Sequence, residues 1–173
     1  MRVVAGTAKG RRLMGTVSPQ ARPTTERVRA AIFNIVSPDL YHQGRVLDLY
    51  AGSGSLGIEA LSRGAAHADF VEADRRQTDV VRENLRRTKL DARATVHRAD
   101  VRQAIEALAL APGYDYVLMD PPYTEPFPLD IVERIGGLGL LAEDGVVVVG
   151  HASRVDAPER CGALERWQDR RYG

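Results

Sequence analysis

Residues 45–57, Arg45-Val46-Leu47-Asp48-Leu49-Tyr50-Ala51-Gly52-Ser53-Gly54-Ser55-Leu56-Gly57, run from an apolar stretch into a glycine-rich turn and on toward a helix. Val46 to Tyr50 hold a single acid, Asp48, in apolar company, which predicts a buried strand. Gly52 and Gly54 predict a turn whose backbone comes close to a ligand where any Cβ would clash. A helix is expected from Ser55 to about Arg63, with Gly64 at its end. Open α/β sheets bind ligands at the carboxyl ends of their strands, so this turn is the first candidate site.

The same alternation continues downstream. Strands are expected at 68–72, 94–97, 114–120 and 145–149, and helices at 75–89, 101–110 and 129–135, with Val80, Val81 and Leu85 inward on the first of these helices. The last strand is nearly continuous in valine, as a strand covered on both faces would be. Strands alternating with helices predict an α/β core over 44–173 built on a mostly parallel, doubly wound sheet. Upstream, 1–36 reads as an extension of the same domain. Residues 2–5 and 11–14 flank a Gly6-Thr7-Ala8-Lys9-Gly10 turn and predict a hairpin. Pro23, with Thr24 or Thr25 as N-cap, opens a helix that stops before Ser37-Pro38. Val28, Ile32, Ile35 and Val36 share one face of that helix, and Arg27 and Arg29 lie off it.

The 173 residues carry 24 basic and 23 acidic side chains, unevenly placed. Residues 1–36 hold Arg2, Lys9, Arg11, Arg12, Arg22, Arg27 and Arg29 against Glu26 alone, a net +6, and the remainder is net −5. A basic arm on a mildly acidic body suits a polyanion such as RNA, and those seven residues are its candidate contacts. A solvated basic surface is the plain alternative. No apolar run approaches the roughly 20 residues of a membrane span. Cys161 stands alone, which suits a reducing, cytoplasmic setting. His42, His67, His97 and His151 show no metal-ligand spacing with it, so no metal is expected. A monomer is the default.

Two nucleotide readings fit the glycine turn. Gly52, Gly54 and Gly57 satisfy the dinucleotide pattern GxGxxG, and Glu72, with Ala73 beside it, supplies the ribose-binding acid expected about 20 residues on. Asp48 favours the other reading. A carboxylate so close to the turn would repel a pyrophosphate but suits the ammonium of a methionine moiety; pairing with the next helix is its structural alternative. Asp100, with Val101 beside it, is placed to accept a hydrogen bond from an adenine amine, to cap the next helix, or both.

Asp120-Pro121-Pro122-Tyr123 follows the strand Tyr116-Val117-Leu118-Met119 directly. An exocyclic base amine is a poor nucleophile because its lone pair is delocalised into the ring. Acceptors on its N–H groups, the Asp120 carboxylate and the Pro121 carbonyl, free that lone pair, and two prolines hold the acceptors in place. Tyr123 can stack on an extruded base. This chemistry serves guanine, adenine and cytosine amines alike. A nicotinamide oxidoreductase leaves both this motif and the basic arm without a use.

In this order the motifs resemble class I S-adenosylmethionine-dependent methyltransferases of Rossmann-like fold. More specifically, Arg2-Val3-Val4-Ala5-Gly6, Arg22-Pro23-Thr24-Thr25-Glu26-Arg27-Val28-Arg29, Phe33-Asn34, the glycine turn and Asp120-Pro121-Pro122-Tyr123 are similar to the bacterial 16S ribosomal RNA guanine-N2 methyltransferases. The resemblance spans nearly the whole chain. It implies that Asp48, Ala51, Gly52, Ser53, Gly54, Glu72, Ala73, Asp100 and Val101 bind S-adenosylmethionine and that Asp120, Pro121, Pro122 and Tyr123 hold the guanine. Residues 22–29 would border the methionine end and the RNA, with Thr24 or Thr25 giving hydroxyls. The implied partner is 16S rRNA, alone or within the small subunit. Members of that family continue beyond 171–173 into a last strand; were 165–172 the sixth strand here, the expected consequence is an unpaired sheet edge.

Overall fold

The computed structural model describes residues 1–16, 25–36, 38–111, 113–124 and 126–172. After α1 (Glu26–Ile35) and the single turn α2 (Pro38–Tyr41), strands and helices alternate: β1 (Arg45–Leu49), α3 (Ser55–Ser62), β2 (His67–Glu72), α4 (Arg75–Thr88), β3 (Ala94–Arg98), α5 (Val101–Leu108), β4 (Tyr114–Met119), α6 (Leu129–Gly137) and β5 (Leu141–Val149). The five strands form one sheet, every pairing parallel, in the order β3-β2-β1-β4-β5. Expected and observed boundaries differ by a residue or two for most elements, because hydrophobic period fixes an element's existence better than its ends.

Alternate strand residues feed two cores, one on each face of the sheet. Val46, Phe70, Tyr116 and Leu118 meet Phe33, Leu56, Ile58 and Val81 from α1, α3 and α4. Leu47, Leu49, Val71, Val117 and Met119 meet Val101, Ile105, Ile131 and Ile135 from α5 and α6. Each such fully buried aliphatic or aromatic side chain contributes about 1.5–3 kcal/mol. Register places Leu49 between Val71 and Met119. The glycine turn after β1 and Asp120 after β4 therefore leave the sheet side by side, and Glu72 ends the strand on the other flank.

Three expectations change. The N-terminal hairpin is present but pared to one antiparallel bridge, Arg2 with Arg12, with Val3 N–H donating to the Arg11 carbonyl and Leu13 N–H to the Met1 carbonyl, because its backbone is held by α3 as much as by itself. β5 begins at Leu141 and carries a register irregularity opposite Tyr114 and Tyr116, where Gly145 presses on the Tyr114 carbonyl. It lies at the sheet edge, and Val146 to Val149 are half-buried rather than covered on both faces. Residues 165–172 do not form a sixth strand: Leu164–Glu165 (β7) pairs antiparallel with Arg160–Cys161 (β6) in a separate two-stranded ribbon, and 166–172 are irregular. Among the described residues no helix is long and apolar enough to cross a membrane.

Candidate functional site

The turn after β1 is built from left-handed residues at alternate positions: Tyr50 at φ 58°, Gly52 at 56° and Gly54 at 76°. Tyr50 adopts this conformation despite its Cβ, a strain of about 1–2 kcal/mol that the flanking strand and helix sustain. Backbone bonds lock the turn, with Ala51 N–H donating to the Val71 carbonyl at 3.0 Å and Gly54 N–H to the Ala51 carbonyl at 2.7 Å. Gly57, the third glycine, serves packing: a Cβ there would lie 2.4 Å from the Phe70 ring.

Three carboxylates converge on this edge. Asp48 is 1% exposed, and its Oδ2 accepts the Gly57 N–H at 2.8 Å. The helix pairing weighed from the sequence is therefore real, and it fixes the carboxyl beneath the turn. Glu72 Oε2 accepts the Gly52 N–H and Oε1 the Asp74 N–H, both at 2.9 Å, tying the end of β2 to the turn. Each oxygen keeps a second lone pair for a further donor. Burial pushes the Asp48 carboxyl well above its usual range, the Gly57 hydrogen bond opposes this, and the charges of Asp120 and Glu72 raise it further. A cation placed among the three relieves that repulsion.

The Asp48 shift has a testable consequence. Its folded pKa lies above the unfolded one, so the folded chain holds the proton more tightly. The stability this contributes is present below the unfolded value and is lost as pH rises through the folded value. Asp48→Asn removes the titration and keeps the shape. Its unfolding free energy relative to the parent is expected to grow as pH rises from the ordinary carboxylate range through neutrality. Denaturant unfolding across that range checks this, and a pH-independent difference refutes it.

Asp120 sits one residue beyond β4. The Tyr123 hydroxyl donates to its carboxylate, and burial, reinforced by the Asp120 charge, pushes that phenol up to about 12. Gly150, whose N–H donates to the Met119 carbonyl at 2.7 Å, makes room for it, since a Cβ there would lie 2.4 Å from Asp120 Oδ1. Pro121 is buried and Pro122 exposed. Arg154 Nη2 donates to the Tyr123 carbonyl at 3.1 Å, holding the loop from its far side. Val28, Ile32, Leu56, Asp120, Tyr123 and Gly150 are among the residues around a cavity of about 30 Å³. The apolar stripe of α1 thus divides its work: Phe33 and Val36 enter the core, while Val28 and Ile32 wall this cavity.

The remaining predicted residues scatter more widely. Ala51, Ser53 and Gly54 are buried in the turn, and Ala73 is exposed beside Glu72. Asp100 caps α5, its Oδ1 accepting the Arg102 N–H at 2.8 Å, and the Val101 side chain is packed into the core. Thr25 caps α1 by accepting the Val28 N–H at 3.3 Å. Thr24 and Arg22 lie outside the described residues. Arg2, Lys9, Arg12 and Arg27 are exposed, and the half-buried Arg11 donates to the Arg87 carbonyl at 3.3 Å. Arg29 departs from expectation. It is 0% exposed, and its Nη2 donates to the Arg2 carbonyl at 2.5 Å. Burial lowers its pKa while Glu59 and Glu26 resist the shift. Its place is inside the domain, not on an RNA surface.

Sequence reasoning missed the polar residues that fasten the arm. Glu59 accepts the Val4 and Ala5 N–H groups at 2.8 and 3.0 Å. Ser62 Oγ accepts the Ala8 N–H at 2.9 Å, and its carbonyl crowds Gly6 so closely that a Cβ would lie 1.8 Å away. On α4, Asn84 and Gln77 reach Met14 and Thr16. The available signal was polar side chains on helix faces otherwise apolar.

The whole chain, residues 1–173, matches the family model described as Conserved hypothetical protein 95. YlbH of Bacillus subtilis is 40% identical over 174 residues, covering 100% of this chain and 94% of the relative. The Ribosomal RNA small subunit methyltransferase D of Escherichia coli strain K12 is 34% identical, covering 86% of this chain and 73% of the relative. Among solved structures, a hypothetical protein of Thermus thermophilus superposes with a TM-score of 0.80 at 32% identity, over 92% of this chain and 90% of the other. A buried acid under a glycine turn, an Asp-Pro-Pro-Tyr loop on the neighbouring strand and this match along the full length agree, and the chain belongs to the Conserved hypothetical protein 95 family, beside the small-subunit ribosomal RNA methyltransferases D.

Proposed function

We propose that this protein methylates small-subunit ribosomal RNA, transferring the methyl group of S-adenosylmethionine to the exocyclic N2 amine of a guanine. The observation that carries the reading is the convergence of Asp48, Glu72 and Asp120 at the adjacent ends of β1, β2 and β4, where burial first, and then the charges of Asp120 and Glu72, raise the Asp48 pKa. A ligand with an ammonium and a sulfonium answers that field; a pyrophosphate worsens it. Names of relatives at 34% identity supply the small-subunit rRNA as acceptor.

Glu72, with oxygens at the turn, takes the ribose hydroxyls, and Asp100 keeps Oδ2 for the adenine amine. Asp48 faces the ammonium end. The donor supplies an electrophilic methyl: the amine nitrogen forms the new N–C bond, the S–C bond breaks, and its electron pair stays on the neutral thioether. Asp120 and the Pro121 carbonyl accept the two N–H groups, returning the lone pair to nitrogen, and the departing proton passes to the Asp120 carboxylate or to water. In this reading Tyr123 releases Asp120 and swings outward to admit the base beside the cavity that Asp120, Val28 and Ile32 wall. Tyr123 is already 40% exposed and then stacks on the base. Releasing it frees the carboxylate at the moment the amine arrives.

Transfer of labelled methyl groups to 16S rRNA, small subunits and DNA in parallel, followed by nucleoside analysis, tests this. The expected product is N2-methylguanosine from RNA or subunits. Label in N6-methyladenosine, or in DNA alone, overturns the choice of amine or acceptor.

A further inference from the structure

Asn84 has no part in the chemistry above, yet it touches both halves of the proposed site. It sits on the inner face of α4, 0% exposed. Its Oδ1 accepts the Met14 N–H at 2.7 Å, and its Nδ2 donates to the Met14 carbonyl at 3.1 Å and the Ser53 carbonyl at 2.9 Å. One side-chain amide thus mimics a backbone bridge to the arm while gripping the glycine turn. Two helical turns earlier, the buried Gln77 donates to the Thr16 hydroxyl, and its Nε2 lies 3.9 Å from where a Gly52 Cβ would stand. A buried amide in the middle of a helix keeps such a place only when each polar atom is satisfied, so loosening either partner leaves the other poorly held.

We propose that Asn84 is a positioning residue that couples RNA binding by the basic arm to cofactor binding at the glycine turn. The inference rests on reading the arm as the RNA surface and the turn as the cofactor site. RNA held by Arg2, Lys9 and Arg12 steadies residues 11–16; Asn84 passes that order to Ser53, and the cofactor then binds a turn whose freedom is already spent. Linkage makes the effect reciprocal, so the cofactor tightens RNA binding by the same factor.

The test is the dissociation constant of S-adenosylhomocysteine, measured by calorimetry on the full chain with and without saturating 16S rRNA. In the parent protein RNA is expected to tighten the cofactor product by about tenfold, within the usual 5–150-fold of coupled sites. Asn84→Ala is expected to bring that ratio to about one. Asn84→Asp, which keeps the acceptor for Met14 but loses both donations, should fall with it. A merely structural residue would shift both constants together and leave the ratio intact, and that result overturns the proposal. Should Asn84→Ala fail to fold, Gln77→Leu cuts the Thr16 tether and must still lower the ratio; an unchanged ratio there also overturns it. RNA that binds the parent without altering cofactor affinity sinks the coupling alone, whereas a parent that binds no RNA sinks the reading of the arm as well.

Discussion

Asp120→Ala is expected to lower the methyl-transfer rate by about 10³-fold, the scale set by removing one preorganised group from a developing charge. Asp120 stands past the end of β4 beside the turn after β1, in a recess that Gly150 leaves open, with the Tyr123 hydroxyl on it. The turn's own hydrogen bonding runs through Val71, Glu72 and Gly57. The Asp120 charge adds to the field on Asp48, but S-adenosylhomocysteine carries no sulfonium and so feels little of its loss. Affinity for S-adenosylhomocysteine should hence stay within about twofold of the parent, the pattern of an interaction made only in the transition state. Asp120→Asn keeps one acceptor oxygen and should retain more activity than alanine. Single-turnover transfer and calorimetry on the three proteins decide the matter. Activity within tenfold of the parent in the alanine variant removes Asp120 from the chemistry, and a collapse of cofactor affinity makes it a cofactor ligand instead.

What could be read from the sequence follows a physical boundary. The strand, glycine turn and helix at 45–62 depend on local periodicity and on glycine's freedom at positive φ, both written into adjacent residues. Parallel topology puts the ends of β1, β2 and β4 on one edge, and the strand order β2-β1-β4 then brings Asp48, Glu72 and Asp120 together. Contacts between distant segments were not legible. Arg29 looked like a phosphate ligand by its neighbours in sequence, but its surroundings are set by the arm folding back to offer the Arg2 carbonyl and by Glu59 from α3. The valines of β5 suggested a covered strand, although strand order, which hydrophobicity does not encode, sets it at the edge. Val28 and Ile32 share a helix face in the sequence, and only the folded chain shows that this face also walls a cavity.

Glu59→Ala is expected to be the most destabilising of these substitutions, by about 3–5 kcal/mol, the cost of breaking a buried charged pair by removing one partner. Glu59 is 0% exposed, and its carboxylate receives Val4 N–H, Ala5 N–H and Arg63 Nε, the last at 2.8 Å. Alanine leaves two backbone donors and a guanidinium unanswered at once, against a total folding stability of only about 5–15 kcal/mol. The loss should begin at the arm. Val3, Ala8 and Leu13 are buried only while 2–13 lie on α3, and Gly6 fits against Ser62 only in that pose. Limited proteolysis should thus cut residues 1–16 in Glu59→Ala under conditions where the parent resists, with denaturant unfolding reporting the global cost. Glu59→Gln keeps the volume and one acceptor, so it should fall between the two. If alanine costs less than about 1 kcal/mol and the arm stays protected, Ser62 and the apolar contacts hold the arm by themselves. The basic surface would then be anchored without the carboxylate that faces it, and Glu59 would need another reason to be buried whole.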